Sequence, residues 1–222
     1  TGLLFGQREM KGGGTMPKGS EELTNARREE ILNACIKLYE TMNFKNISIK
    51  EIANETSFTR TSIYNYFSTK EEIFLAILQK EYEYWVADLD DLIERNEVLT
   101  GDQLADALAH SLEKRELLLK IMSMNHFDME ENSSMERLIE FKRAYGNSIK
   151  AVTNCLKKFC PQMSEVDRQD FIYAFFPFVY GIYPYAVVTE KQREAMEKAE
   201  VPFVYYSIYE ISYNSIRKML GT

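Results

Sequence analysis

Glycine and proline are scarce in most of this chain. Six of the ten glycines fall within the first nineteen residues, so residues 20–222 contain only four glycines and four prolines. Average usage is about 7% for glycine and about 5% for proline. A β-sandwich or barrel needs far more turn residues, which excludes these folds. The composition favours long helices, and 45% hydrophobic residues are enough to bury a substantial core.

Cysteine and histidine are also few. The three cysteines, Cys35, Cys155 and Cys160, are an odd number without metal-ligand spacing, and the histidines are His110 and His126. This pattern excludes a disulfide framework and argues against a histidine-rich metal site. We therefore expect a protein of a reducing compartment, the cytoplasm, with neither a metal nor a cofactor.

Common catalytic motifs are absent from the sequence. There is no nucleophile elbow, phosphate-binding loop or carboxylate metal motif. Cys35 lies on an apolar helix face, and the other two cysteines have no assignable histidine partner, which argues against a thiol nucleophile. We predict no catalytic residues, so a small helical enzyme is the least favoured interpretation.

Residues 1–19 lack a secretory pattern and are interpreted as a flexible lead. Met16 resembles a natural start, so residues 1–15 are either added sequence or an upstream extension. Residues 171–188 carry no charge and are long enough to test as a membrane span. They contain four tyrosines, and no second span accompanies them. We therefore predict a buried core or interface helix and no membrane partner, with kinks at Pro177 and Pro184.

Charge is distributed unevenly along the chain. Residues 1–70 carry 10 basic and 8 acidic side chains, a net charge of +2, whereas residues 71–222 carry 17 and 26, a net charge of −9. The total of −7 alone would argue against a nucleic-acid partner. The asymmetry indicates two parts with different partners.

Apolar periodicity predicts four helices between residues 24 and 95. The middle two are short: one covers residues 49–55, and one capped by Thr59 runs to about Tyr66. Ser48 with Glu51, and Ser68 with Glu71, are predicted capping boxes. The second box opens a long helix whose inward face contains Phe74, Ile77, Leu78, Trp85, Leu89 and Leu92.

Two short helices joined by three residues, with a longer helix on either side, are the sequence form of a helix-turn-helix. The second helix must be short and polar on one side to enter a DNA major groove about 12 Å wide. Ile63, Tyr66 and Phe67 can face the core. The outward residues are all hydrogen-bond donors and none is acidic: Thr59, Arg60, Thr61, Ser62 and Asn65.

Beyond residue 100 the pattern stays helical. Periodic or apolar stretches cover 101–125, 135–159, 166–188 and 201–220, and polar breaks lie at 130–134, 161–164 and 189–200. The predicted fold class is all-α, with an N-terminal three-helix helix-turn-helix domain over residues 20–70. A long helix joins it to a larger helical domain over residues 71–222.

The helix-turn-helix segment also matches a family. Ile-Lys-Glu-Ile-Ala at residues 49–53, followed by the aromatic trio Tyr64, Tyr66 and Phe67 and then Lys70, resembles the DNA-binding domain of the TetR family of bacterial transcriptional regulators. The resemblance covers about residues 27–78. Ser57 stands where the family usually has glycine in the turn. A left-handed residue with a Cβ costs about 1 kcal/mol, so we expect a slightly altered turn.

This resemblance implies a homodimer that binds a roughly palindromic operator in double-stranded DNA, most simply as a repressor. Arg60 suits guanine and Asn65 suits adenine. The alternative for Arg60 and Lys70 is a solvated charge, and for Tyr64 a core aromatic. By position, phosphates would be held by Ser48, Tyr64 and Lys70, and base edges would be faced by Lys50, Arg60, Thr61 and Asn65, with Thr59 and Ser62 on the same outward side.

The resemblance further implies that a small-molecule effector binds the C-terminal domain and releases the DNA. The last two helices, 166–188 and 201–220, would form the dimer interface, because their apolar content is high for exposed helices. The effector candidates are aromatic, with one histidine, and each taken singly is more often a core side chain: Trp85, His126, Phe127, Tyr145, Tyr173, Phe176 and Tyr180.

A further interpretation is a helical adaptor that keeps the helix-turn-helix as a packing unit and binds protein partners. The two hypotheses differ in one property. A repressor binds DNA with sequence selectivity and strong salt dependence, whereas an adaptor folds and dimerises without binding it.

Overall fold

Helices make up the secondary structure of residues 18–124 and 126–222, which a computed structural model describes. The first part contains α1 (Lys18–Thr41), a 3-10 turn (Phe44–Asn46), α2 (Ile49–Asn54), α3 (Arg60–Ile63) and α4 (Lys70–Arg95). The second contains α5 (Gly101–Glu113), α6 (Glu116–Met122), α7 (His126–Glu131), α8 (Met135–Phe159), α9 (Glu165–Ala186), α10 (Glu190–Lys198) and α11 (Ile208–Leu220). Because these ranges contain no strand, the predicted all-α class is confirmed.

The first helix begins earlier than its periodicity predicted. Lys18 and Gly19 belong to α1, so the flexible lead predicted over residues 1–19 is wrong at these two positions. Residues 1–17, with the proposed natural start at Met16, lie outside the described residues. On the apolar side of α1, Ile31, Ala34 and Cys35 are buried.

Hydroxyl side chains cap the two short helices. Thr59 Oγ1 accepts a hydrogen bond from Ser62 N at 3.3 Å and caps α3, as predicted. Ser48 caps α2 by accepting from Lys50 N at 3.2 Å. The reciprocal half of the predicted box at Ser48 is wrong, because the Glu51 carboxylate bonds the Ser48 hydroxyl rather than the Ser48 backbone.

The start of α4 is shifted by one residue from the prediction. Thr69 caps this helix by accepting from Glu72 N at 3.1 Å. The predicted box of Ser68 with Glu71 is wrong, because Glu72 turns inward and accepts a hydrogen bond from Ser68 N at 2.7 Å. Glu72 is buried, with 5% of its surface exposed.

The turn between α2 and α3 does not strain Ser57. Among the described residues other than glycine, only Glu200 has a positive φ, so Ser57 is not left-handed and the predicted cost does not arise. Ser57 N instead donates to Glu30 Oε1 at 2.6 Å. This backbone hydrogen bond lowers the pKa of Glu30 and ties the turn to α1.

The long helix α4 is shared by both parts of the chain. Near its start, Phe74 meets Tyr39 of α1 edge to face, with ring centroids 5.1 Å apart. Further along, α4 packs against α8. Its predicted inward face is buried at Phe74, Ile77, Leu78, Trp85 and Leu89 and partly buried at Leu92.

Helix boundaries in the C-terminal part depart from the prediction at several places, of which two lie between residues 101 and 200. The stretch 101–125 is not one helix, because α5 ends at Glu113 and α6 begins at Glu116. The polar break predicted at 189–200 contains α10. Thr189 and Gln192 open α10 with a reciprocal capping box, a local signal inside a segment that carries no apolar stripe.

The final predicted helix is shorter than expected. Residues 201–207 form no regular secondary structure, and α11 begins at Ile208. Pro202 disfavours helical backbone at the residue before it. Ser207 caps α11 in a capping box with Glu210, which accounts for the later start. α11 then packs against α5 and α9.

The uncharged helix α9 contains both Pro177 and Pro184, and its predicted kinks stay a prediction. No single helix of the described ranges is long and apolar enough to cross a membrane. Only α9 and α10 together, which are bent by 84° at the break between them, meet that test of length and composition. The core prediction for α9 fits its buried side chains, Phe171, Phe175, Phe176, Val179 and Ile182.

Replacing Ser57 tests the conformation of the turn. Glycine relieves no backbone strain in a turn that is not left-handed, and it raises the conformational entropy of the unfolded chain. We expect Ser57→Gly to be less stable than Ser57→Ala by about 0.4–1 kcal/mol in urea unfolding. The alanine variant is the matched control, since both lack the hydroxyl. A glycine variant at least as stable as the alanine variant would indicate a left-handed turn.

Candidate nucleic-acid interface

The second helix of the helix-turn-helix is held by its apolar side. Ile63 and Phe67 are buried, and Ile52 of α2 is buried with them in the same core. Thr59 Oγ1 lies 2.9 Å from Ser62 Oγ, so the hydroxyl that caps α3 also contacts the Ser62 hydroxyl. This packing presents the other side of α3 to solvent, in a segment without an acidic residue.

The predicted outward residues are exposed, with one exception. Thr59, Arg60, Thr61 and Asn65 are exposed, whereas Ser62 is half-buried beside Thr59. Their contacts with DNA stay a prediction. What the structure provides is a short cationic helix face whose hydroxyl, amide and guanidinium groups are accessible.

Arg60 and Tyr64 are coupled across one helical turn. The Arg60 Nη2 donates to the Tyr64 hydroxyl at 3.3 Å, and the guanidinium carbon lies 5.8 Å from the Tyr64 ring centroid. Tyr64 is 44% exposed, which argues against the alternative that it is a core aromatic. The ring restricts the rotamers of Arg60, and restriction before binding lowers the entropy lost on contact.

The two other predicted contacts on α2 differ in availability. Lys50 is exposed. The Ser48 hydroxyl is already occupied, because it accepts from Lys50 N and contacts Glu51. Bonding to Ser48 lowers the pKa of Glu51, so the carboxylate is charged at neutral pH. A phosphate at Ser48 would therefore have to displace Glu51.

Lys70 has a structural role that its position did not predict. Its Nζ donates to Phe44 O at 2.8 Å and to Ile47 O at 3.1 Å, and lies 4.2 Å from the Phe44 ring centroid. A lysine ammonium has three donors, so two of them are committed to backbone carbonyls. The predicted contact between Lys70 and a phosphate stays a prediction, and it would use the third N–H donor of the ammonium.

Arg27 of α1 is a cation near this surface that the sequence analysis missed. Its Nη1 donates to the Tyr66 hydroxyl at 3.2 Å, and its guanidinium lies 5.8 Å from the Phe58 ring centroid. Arg27 is exposed. Tyr66 is half-buried, as its predicted core-facing position implies, but its hydroxyl reaches Arg27 on the surface of α1.

In the C-terminal domain, three predicted effector residues line one cavity. Tyr145 of α8 and Tyr173 and Phe176 of α9 border a cavity of about 580 Å³. Arg168 at its edge donates to Glu165 Oε2 at 2.8 Å, so its charge is paired. The remaining lining is mixed, with apolar Ile149, Ile172 and Pro177 and polar Thr153, Glu165 and Gln169.

The other predicted effector residues lie elsewhere. Trp85 is fully buried, stacks on Phe175 at 6.3 Å and donates to Ser111 Oγ at 3.0 Å. Phe127 is 84% exposed and does not line this cavity, so its predicted effector contact stays a prediction. The periodicity of the sequence did not indicate that Phe127, the second residue of α7, faces solvent.

His126 and Tyr180 form a separate pair. Their rings meet at 5.0 Å, and His126 Nε2 lies 2.8 Å from Met122 O. Burial lowers the pKa of His126, so its ring is neutral at pH 7. Tyr82 was missed by the sequence analysis: it is fully buried against Phe141 and Tyr145, and burial raises its pKa.

The cysteines do not support the thiol-enzyme interpretation. All three are free and buried. Burial raises the pKa of Cys35 and of Cys155 to about 12, so both remain thiols at neutral pH. Within residues 18–124 and 126–222, His, Cys, Asp and Glu side chains form no group of three that could hold a metal ion.

Curated relatives carry names from transcriptional regulation. The HTH-type transcriptional regulator YfiR of Bacillus subtilis is 30% identical over 97 residues, which are 41% of this chain and 47% of YfiR. The chain thus matches about half the length of that relative. The HTH-type transcriptional repressor AcnR of Corynebacterium diphtheriae is 22% identical over 134 residues, 60% of this chain and 67% of AcnR.

A solved structure shares the fold. The transcriptional regulator FadR from Bacillus subtilis, crystallised in complex with stearoyl-CoA, has a TM-score of 0.57 at 14% identity, covering 86% of this chain and 96% of that chain. A family model for bacterial regulatory proteins of the tetR family matches residues 31–77. A model for the tetracyclin repressor-like C-terminal domain matches residues 79–207. Because these two models together span most of the sequence, the chain belongs to the TetR family.

Proposed function

We propose that this protein is a transcriptional repressor that binds a palindromic operator as a homodimer and is released by a small-molecule effector. The exposed, acid-free face of α3 is the observation that carries the proposal. The net charge of +2 over residues 1–70, against −9 over the rest, supports DNA as the partner of the N-terminal part. The name of AcnR, a transcriptional repressor, supports repression over activation.

Exposed apolar groups support a dimer surface on α9 and on the segment 201–207 that precedes α11. Tyr173 and Tyr185 of α9 are 73% and 63% exposed, and Val204 is 67% exposed. A groove of about 470 Å³ lies between these elements, bordered by Phe178, Phe203 and Ile211. α11 packs on its own α5 and α9, so it contributes through Ile211 and not as a free helix face. Contiguous exposed apolar surface of this kind marks an interaction site.

The cavity beside Tyr145, Tyr173 and Phe176 is the proposed effector site. Its volume of about 580 Å³ lies within the range of small-molecule pockets, roughly 300–1,000 Å³. Aromatic walls and a paired Arg168 favour a ligand with an apolar body over a highly charged one. FadR from Bacillus subtilis, which shares the fold, was crystallised in complex with stearoyl-CoA.

DNA binding is tested with the promoter region upstream of the chain's own gene. We expect the purified dimer to protect a palindromic site in a footprint, with affinity that falls steeply as salt rises, because phosphate contacts release counterions. A scrambled duplex of the same composition is the control. Absence of sequence-selective binding by a well-folded dimer would contradict the proposed function and favour the adaptor.

Arg60→Ala tests base recognition. We expect a loss of about 1–3 kcal/mol on the specific site and relaxed base preference, because a bidentate contact to guanine is removed. Arg95→Ala, at the far end of α4, removes the same charge outside the interface and serves as the control. Equal loss of affinity on every sequence for Arg60→Ala would overturn the role of Arg60 in base recognition.

Lys70→Ala should weaken binding to all sequences alike and also lower the free energy of unfolding, because Lys70 holds the Phe44 and Ile47 carbonyls.

Tyr185→Glu tests the dimer surface. A carboxylate buried without a partner costs several kcal/mol, so we expect this variant to be monomeric by sedimentation at concentrations where the wild type is dimeric. Val98→Glu is the control, because Val98 is 82% exposed in the loop between α4 and α5. A Tyr185→Glu protein that remains fully dimeric would exclude this surface.

A further inference from the structure

We propose that Glu72 is a positioning residue that sets the orientation of the helix-turn-helix relative to the C-terminal helices. It would do so by accepting backbone hydrogen bonds from both parts at once. Its consequence for DNA affinity rests on the proposed function, whereas its consequence for domain orientation does not.

The geometry places Glu72 between two chain segments far apart in sequence. Its Oε2 accepts from Ser68 N at 2.7 Å, directly after the buried Phe67 of the helix-turn-helix. Its Oε1 accepts from Ser134 N at 2.9 Å, and Ser134 is the N-cap of α8. A single carboxylate thus orients two backbone amides that belong to different domains.

Glu72 is unusual among the described residues. It is 5% exposed, and the other polar residues that are equally buried, Ser148 and Ser212, carry no charge. Burial raises the pKa of Glu72, but the N–H groups of Ser134 and Ser68, the Ser134 hydroxyl and the charge of Arg137 outweigh it and leave the pKa lowered. The carboxylate is therefore ionised at neutral pH, in the form that accepts both bonds.

Adjacent contacts extend this junction. Thr69 Oγ1 donates to Asn132 O at 2.9 Å, so the cap of α4 is tied to the segment before α8. Arg137 of α8 lies with its guanidinium 5.2 Å from the Phe67 ring centroid. We name the junction formed by Glu72, Ser68, Ser134, Thr69 and Asn132 the Glu72 clasp.

The helix α7 connects the clasp to the core of the C-terminal domain. At its start, the His126 ring packs on Tyr180 of α9. Just after its end lie Asn132 and Ser134, both in the clasp. Six helical residues span about 9 Å. A displacement of α9 against α7 can therefore reach the bonds at Glu72 over a short rigid element.

The chain contains a matched control at the neighbouring position. Glu71 lies in the same first turn of α4 and carries the same charge near the helix N-terminus. It accepts no side-chain hydrogen bond from the part of the chain described by the structure, in contrast to Glu72. Glu71→Gln and Glu72→Gln therefore change net charge and helix-dipole interaction alike, and differ in the clasp.

The experiment measures domain orientation directly. Spin labels are attached at Asn54→Cys on α2 and Asn147→Cys on α8, both exposed positions, and labelled chains are diluted with unlabelled protein. We expect Glu72→Gln to broaden the distance distribution and to speed amide exchange at Ser68 and Ser134. Glu71→Gln should match the wild type in both. Identical distributions and exchange rates for the two variants would overturn the proposal.

The consequence for DNA is measured per folded molecule. Coupling between sites typically changes affinity about 5- to 150-fold, and we expect Glu72→Gln to lower specific affinity within that range while Glu71→Gln changes it less than twofold. A lower melting temperature with unchanged distances and affinity would mean a merely structural role and would refute positioning. If the wild type binds no DNA, the proposed function fails. The spin-label distances still test whether Glu72 sets the orientation of the helix-turn-helix.

A second pair of variants covers the case in which Glu72→Gln does not fold. Ser134 has a φ of −66°, which suits a proline ring, so Ser134→Pro removes the N–H that Glu72 accepts. Ser134→Ala keeps this N–H and loses only the hydroxyl. We expect the proline variant alone to broaden the label distances, and equal distances in the two variants would overturn the proposal.

Discussion

The helix α4 constrains the whole molecule, because its apolar face belongs to both domains at once. Phe74 near its start packs on Tyr39 of α1, and Trp85, three turns later, packs on Phe175 and Phe176 of α9. Protein interiors are close-packed, so they transmit a displacement instead of absorbing it. Any shift of α9 against α4 therefore bears on the orientation of the helix-turn-helix.

Apolar packing on α4 holds the domains together but is not directional. Hydrogen bonds, which are directional, link the end of α1 and the turn after it to lysines of α4 and α6. Lys120 Nζ of α6 donates to Tyr39 O at 2.7 Å, and Lys70 Nζ donates to Phe44 O at 2.8 Å. These carbonyls lie at and after the C-terminal end of α1, where a helix leaves acceptors unpaired. The lysines thus satisfy backbone groups and set the orientation of α1 in the same contacts.

Local signals predicted most helices, but the start of α4 shows where they fail. Ser68 with Glu71, and Thr69 with Glu72, are overlapping capping patterns of equal quality. The choice between them is made by Ser134, whose backbone N–H bonds Glu72 from 62 residues away. No local pattern contains that information. The same limit explains the Ser57 turn, where the Glu30 carboxylate on α1 supplies the partner.

The candidate interface was more predictable than the effector cavity for a physical reason. Exposure on α3 follows from which residues of a short helix face its own core, so periodicity over residues 59–67 suffices. A cavity is the space left between helices, and Tyr145 and Phe176 come together only because α8 and α9 pack at that point. Aromatic content selected both residues, yet it selected Phe127 equally, since composition is blind to which side of α7 faces solvent.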